Sequence, residues 1–198
     1  EERYFNYVRN GGHLILTMRT GVKNDTNLCM TDRELPGRLS ELTGSEVLAY
    51  DCLRDVKVAV ICQNTEYTAR NWCDLMRVRA GVEVLAVYAG EFYAGEPCVT
   101  RNNYGKGCCY YVGTEPDQAL MAALVGCMAD AAGITELGSA EEGVELAARE
   151  KDGKRWLFAM NHTAGERTYT VDSAYRMIYG GEAGTLKGYE VQILEKNV

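Results

Sequence analysis

The sequence predicts an α/β fold, an open layered sheet with added antiparallel strands, followed by a small all-β sandwich. Three observations carry this reading. Helical and strand patterns alternate through the first 62 residues. Residues 56–62 are apolar at consecutive positions, which suits a parallel strand covered on both faces. From Val144 onward only short strand patterns remain, separated by turn signals such as Lys151-Asp152-Gly153-Lys154. The expected domains are 1–137 and 138–198, with the small, acidic stretch 138–143 read as a linker.

Taken in order, residues 2–10 have helical spacing, with Tyr4, Phe5 and Val8 on one side and Asn10-Gly11-Gly12 as the stop. Residues 13–18 read as a strand that leaves through a polar, positively charged loop. Leu35-Pro36-Gly37 punctuates that loop, and residues 38–43 form a short helix closed by Gly44. Residues 47–50 and 56–62 are the next strands. Residues 72–78 and 82–88 flank Arg79-Ala80-Gly81 as a hairpin, and 98–102 and 108–112 flank residues 103–107 as another. Pro116 and Asp117 open a helix in which Leu120, Ala123, Leu124, Cys127, Met128 and Ala131 share a face; Gly133 ends it. Five strands then follow, at 144–149, 155–161, 168–171, 176–179 and 189–194.

Composition narrows the function. A chain of 198 residues with 46% hydrophobic and 25% charged side chains can bury a core. Its net charge of −7 argues against nucleic acid as a partner. No apolar run approaches the roughly 20 residues that cross a bilayer, so no membrane partner is expected, and no signal-peptide pattern opens the chain. The first residue is Glu1 rather than Met, which reads as an excised segment. Eight cysteines, at 29, 52, 62, 73, 98, 108, 109 and 127, include no Cys-x-x-Cys pair. They read as reduced core thiols of a cytoplasmic protein, with no metal and no cofactor implied. Cys108 and Cys109 are neighbours on one strand, so their side chains point to opposite faces.

Candidate chemistry is sparse. Glycoside hydrolysis needs two carboxylates about 5–9 Å apart, and no pair among the 28 acidic residues is marked by its context. Glu83 and Asp74 stand in strands whose patterns read as exposed or polar. Cys62, at the end of an apolar strand before Gln63-Asn64, is the best nucleophile for a thiol hydrolase. It lacks a Gly-x-Cys-x-Gly elbow, and His13 and His162 carry no supporting context, so both read as structural or surface histidines. Gly105-Lys106-Gly107 lacks the Ser or Thr and the following helix of a phosphate loop and reads as a hairpin turn. The aromatic pairs Phe92-Tyr93 and Tyr110-Tyr111 suit a core or an interface better than sugar stacking.

Five stretches, in order, resemble family 42 glycoside hydrolases, the microbial β-galactosidases. They are Gly11-Gly12 through Lys23-Asn24, Leu35-Pro36-Gly37-Arg38-Leu39, Gly81 through Ala86, Phe92 through Asn102, and Gly105-Lys106-Gly107 running to Thr114. The likeness covers about residues 1–114, and the tail matches that family's small C-terminal domain more weakly. It implies a trimerisation domain related to class I glutamine amidotransferase and flavodoxin-like folds, then a β-domain. It also implies that the catalytic (β/α)₈ barrel, which alone takes about 250 residues, is not in this chain. In such enzymes barrel glutamates hydrolyse terminal non-reducing β-D-galactosides with retention. No catalytic, cofactor or metal residue transfers to this sequence. The expected partners are copies of the same chain in a trimer, with the galactoside held mainly by the barrel. Tyr88, Phe92, Tyr93 and Tyr104 are the expected interface aromatics. The rival reading is a stand-alone amidotransferase-like enzyme or ligand-binding module using Cys62; a lectin-like sugar-binding domain is a further one.

Overall fold

The computed structural model describes residues 1–198. Two compact units emerge, Glu1–Gly133 and Ile134–Val198, each with its own core. The architecture is mixed α/β and mostly β.

The first unit is built on a seven-stranded sheet. Helix α1 (Glu2–Arg9) buries Phe5 and Val8 and leaves Tyr4 exposed. Strand β1 (His13–Thr17) follows. A 3-10 turn (Gly37–Leu39) and one helical turn, α2 (Ser40–Thr43), stop at Gly44, whose φ of 67° supplies the left-handed cap. Strands β2 (Ser45–Cys62), β3 (Thr65–Val78), β4 (Glu83–Tyr88), β5 (Pro97–Tyr104), β6 (Gly107–Val112) and β7 (Thr114–Pro116) complete the sheet. Helix α3 (Gln118–Ala131) starts at Asp117, whose side chain accepts a hydrogen bond from the Leu120 amide. The strand order is β1-β6-β5-β4-β2-β3-β7, and only β1–β6 is parallel.

That topology corrects three expectations. Residues 56–62 are not a parallel strand: they are the second half of β2 and pair antiparallel with both β3 and β4. Burial along this stretch alternates, with Val58, Val60 and Cys62 buried and Ala59 and Ile61 only partly so, as on an antiparallel strand with one core face. Gln63 and Asn64 both have positive φ, 50° and 64°, and form the two-residue turn that returns β2 into β3. Nor do residues 72–78 and 82–88 make a hairpin, because β4 crosses to the far side of β2 and pairs with β5. Finally, 47–50 and 56–62 are one strand, bent where the register shifts between Cys52 and Lys57.

Two cores lie against this sheet. One gathers Val58, Val60, Tyr88, Val99 and Val112 with Leu120 and Leu124 of α3. The other gathers Phe5 and Val8 of α1 with Leu42, Met76, Cys109 and Tyr111. All six residues of β6 are buried, and its alternation sends Cys109 and Tyr111 to one core and Val112 to the other. Gly107 opens β6 because a Cβ there would stand 2.1 Å from the Gly12 carbonyl oxygen. The glycines of Gly105-Lys106-Gly107 thus answer to backbone crowding by α1 and the start of β1.

The second unit is two antiparallel sheets. Strands β8 (Gly138–Ala140), β9 (Val144–Lys151), β10 (Lys154–Asn161), β11 (Arg167–Val171), β12 (Arg176–Tyr179), β13 (Thr185–Leu186) and β14 (Val191–Asn197) follow in order. They assemble as β12-β14-β10-β9 and β13-β11-β8. The stretch expected as a linker begins with β8, which pairs with β11; small residues suit a close strand approach as well as a flexible tether. Leu157, Ala159, Tyr169, Leu186 and Leu194 form the core. Buried Gln192 accepts a 2.6 Å bond from the Tyr169 hydroxyl, whereas the buried Tyr175 hydroxyl finds no partner.

Candidate functional site

The most elaborate polar cluster lies in the first unit, around Asp74 on β3. Sequence reading placed this residue at the surface, whereas it is 2% exposed. Trp72 Nε1 donates to its Oδ1 at 2.7 Å and the Tyr111 hydroxyl donates to Oδ2 at 2.8 Å. Burial raises the Asp74 pKa; the Trp72 and Tyr111 hydrogen bonds and the charge of Arg19 pull it back in part. Burial likewise pushes the Tyr111 hydroxyl up. The Tyr88 hydroxyl donates to the Asp74 backbone carbonyl at 3.1 Å and closes the network from below. Beside it, Trp72 is stacked on Tyr50 at 4.4 Å, and the Arg19 guanidinium lies over the Trp72 ring at 4.6 Å. The signal for this cluster was an acid set among apolar residues in Trp72-Cys73-Asp74-Leu75-Met76. A cavity sits over it in which Asp74 is the sole carboxylate, so no acid pair of glycosidase type forms there.

The other candidates do not converge. Cys62 lies at the β2–β3 turn rather than at the carboxyl end of a parallel strand, is 6% exposed, and has its pKa raised by burial and then by Cys127. A thiol raised in this way is held away from its nucleophilic form. His13 is partly buried with Nδ1 unpaired, and exposed His162 faces Glu145 at 3.1 Å. Neither hydrogen-bonds to a cysteine. Glu83 is exposed and pairs with Arg101 at 3.4 Å. All eight cysteines are free; five are buried, whereas Cys29, Cys52 and Cys127 are exposed, which corrects their reading as core thiols.

Large apolar side chains are exposed in both units. Helix α3 carries no charge before Asp130 yet buries only Leu120 and Leu124. Its opposite side, with Met121, Ala122 and Val125, faces an open groove shared with Thr17 and Met18. A helix that is apolar on most sides is normally covered on most sides. Phe92 is 85% exposed, and Leu48, Tyr50 and Val56 of β2 add to the surface. Tyr88 and Tyr93, expected at an interface, are instead core residues, and Tyr104 is partly buried against Phe5. Their polar tips explain this, since the Tyr88 and Tyr93 hydroxyls find partners inside, on Asp74 and Asp51.

These features define a class: a mixed α/β sheet domain followed by a small all-β domain. Family profiles then specify it. The profile described as the β-galactosidase trimerisation domain matches residues 1–135, and that described as the β-galactosidase C-terminal domain matches residues 143–196. The chain belongs to the family 42 β-galactosidases, as their trimerisation and C-terminal segment. Among its relatives, β-galactosidase LacA of Lactobacillus acidophilus is 32% identical over 98% of this chain and 30% of its own length. β-Galactosidase BgaB of a Geobacillus species is 33% identical over 98% of the chain and 29% of its own. The crystal structure of the β-galactosidase from Bacillus circulans sp. alkalophilus superposes with a TM-score of 0.88 at 30% identity, covering 98% of this chain and 30% of that one. The chain therefore spans about a third or less of the length of the relatives it matches. No helix is long and apolar enough to cross a membrane.

Proposed function

We propose that this chain is the non-catalytic assembly segment of a longer β-galactosidase. In this reading residues 1–137 hold three copies around a three-fold axis, and 138–198 form the C-terminal β-domain. The hydrolysis of terminal non-reducing β-D-galactosides, with retention, belongs to a barrel encoded outside these residues, in a cytoplasmic homotrimer. One observation carries the proposal: the two profiles together match almost the whole chain, yet that chain covers only about 30% of each catalytic relative. The uncovered faces of α3 and Phe92 give it a physical basis, because a cyclic trimer buries unlike patches against each other. The amidotransferase likeness belongs to the same proposal, and the parallel β1–β6 pair is what favours it.

Two measurements test it on the pure chain. A chromogenic β-galactoside is expected to show no turnover above the buffer rate, and light scattering is expected to give three times 21.9 kDa. Turnover that survives repurification would overturn the non-catalytic reading. A monomer at all concentrations would move the assembly role away from these residues.

A further inference from the structure

We propose that the cavity over Asp74 binds a neutral, polyhydroxylated ligand of monosaccharide size. This does not rest on the trimer reading. The cavity measures about 150 Å³, room for about five waters, the space of one sugar ring with its nearer hydroxyls. One wall comes from the loop after β1, through Arg19 and Thr20, and the other from the sheet, through Tyr50, Trp72, Asp74 and Tyr111.

Its chemistry selects the ligand. The floor is a buried carboxylate held by two donors, Trp72 and Tyr111, one on each oxygen. Each carboxylate oxygen offers about two acceptor sites, so one on each remains. The rim is the Arg19 guanidinium, which forms no ion pair and lies over the Trp72 ring. An anionic ligand would be drawn to Arg19 but repelled by Asp74, and a cationic one the reverse. A hydroxyl escapes that conflict, because it donates to the carboxylate and accepts from the guanidinium at once. Tyr50, stacked on Trp72 and itself exposed, supplies an aromatic wall for the apolar C–H face of a sugar ring. The site is also held in place before any ligand arrives, since Trp72 is fixed by a hydrogen bond at its edge and by its contacts with Tyr50 and Arg19. Arg19 itself has a φ of 65°, a left-handed conformation that a non-glycine residue keeps only where its surroundings hold it.

The Trp72 indole N–H donates to Asp74, so its proton–nitrogen NMR signal reports the cavity directly. The chain has two tryptophans, and Trp156→Phe assigns the two signals. Titrating the whole chain with D-galactose is expected to shift the Trp72 indole signal saturably, with millimolar affinity. Arg19→Gln, at an exposed position, is expected to keep the dispersed spectrum and weaken binding about tenfold. D-Galacturonate and D-galactosamine are expected to bind more weakly than the neutral sugar. The proposal fails if galactose, glucose and glycerol all leave the Trp72 signal unmoved. It also fails if the charged sugars bind as well as galactose, or if Arg19→Gln binds as the parent chain does.

Discussion

Tyr111→Phe tests the Asp74 network most directly. The substitution keeps the buried ring, and with it the packing against Phe5, Val8 and Leu42, but removes the hydroxyl that donates to Asp74 Oδ2 at 2.8 Å. A hydrogen bond to a charged group contributes about 1.5–3 kcal/mol, and both partners are at least 98% buried. The expected loss is therefore about 2 kcal/mol at neutral pH. The sign of the pH dependence follows from Asp74. Its folded pKa lies above the ordinary 3.8, so folding favours the protonated form. The stabilisation from that proton is complete below the unfolded pKa and is lost as pH rises through the raised folded value. Without the Tyr111 donor the folded pKa rises further, and the loss extends to higher pH. The cost of Tyr111→Phe should be small at about pH 4, grow as Asp74 ionises in the parent chain, and reach its plateau once Asp74 is ionised in the variant as well. Urea unfolding in a Trp156→Phe background lets Trp72 fluorescence report the first unit alone. A cost under about 0.5 kcal/mol at neutral pH, or one no larger than in acid, would refute the reasoning.

Other expectations are more local. Gly107→Ala places a Cβ 2.1 Å from the Gly12 oxygen and 2.5 Å from that of Val8; backbone has to move, and a loss of more than about 3 kcal/mol should appear in chemical denaturation. Leu157→Ala, at a fully buried position of the second unit, should cost about 2–5 kcal/mol and lower only the transition followed by Trp156. Thiol titration with a coloured disulfide reagent should show three fast cysteines, Cys29, Cys52 and Cys127, and five that react only on unfolding. Rapid, selective labelling of Cys62 would revive its reading as a nucleophile.

What could be read from the sequence was what periodicity and punctuation encode locally. Helix α1 with its glycine stop, β1, the Gly44 cap, the Asp117 start of α3 and the hairpin-rich tail all depend on neighbours in the chain. What escaped depends on distant ones. The β2–β3 ribbon was cut short because Gln63-Asn64 lacks the glycine that usually marks such a turn. The shift between Cys52 and Lys57 also breaks the alternation that would have joined its halves. The crossing of β4 to β5 is a pairing choice made across the sheet, invisible to a local pattern. Asp74 looked like a surface acid because its two donors lie on either side of it in sequence, at Trp72 and at distant Tyr111.

Strand β6 contributes side chains to both cores of the first unit and leaves none of its positions to solvent. Neither hydrophobic layer can melt while the other stays packed, because the shared strand would have to leave both. Amides from Cys108 to Val112 should then be the last in that unit to trade hydrogen for deuterium, released only when the entire sheet opens at once.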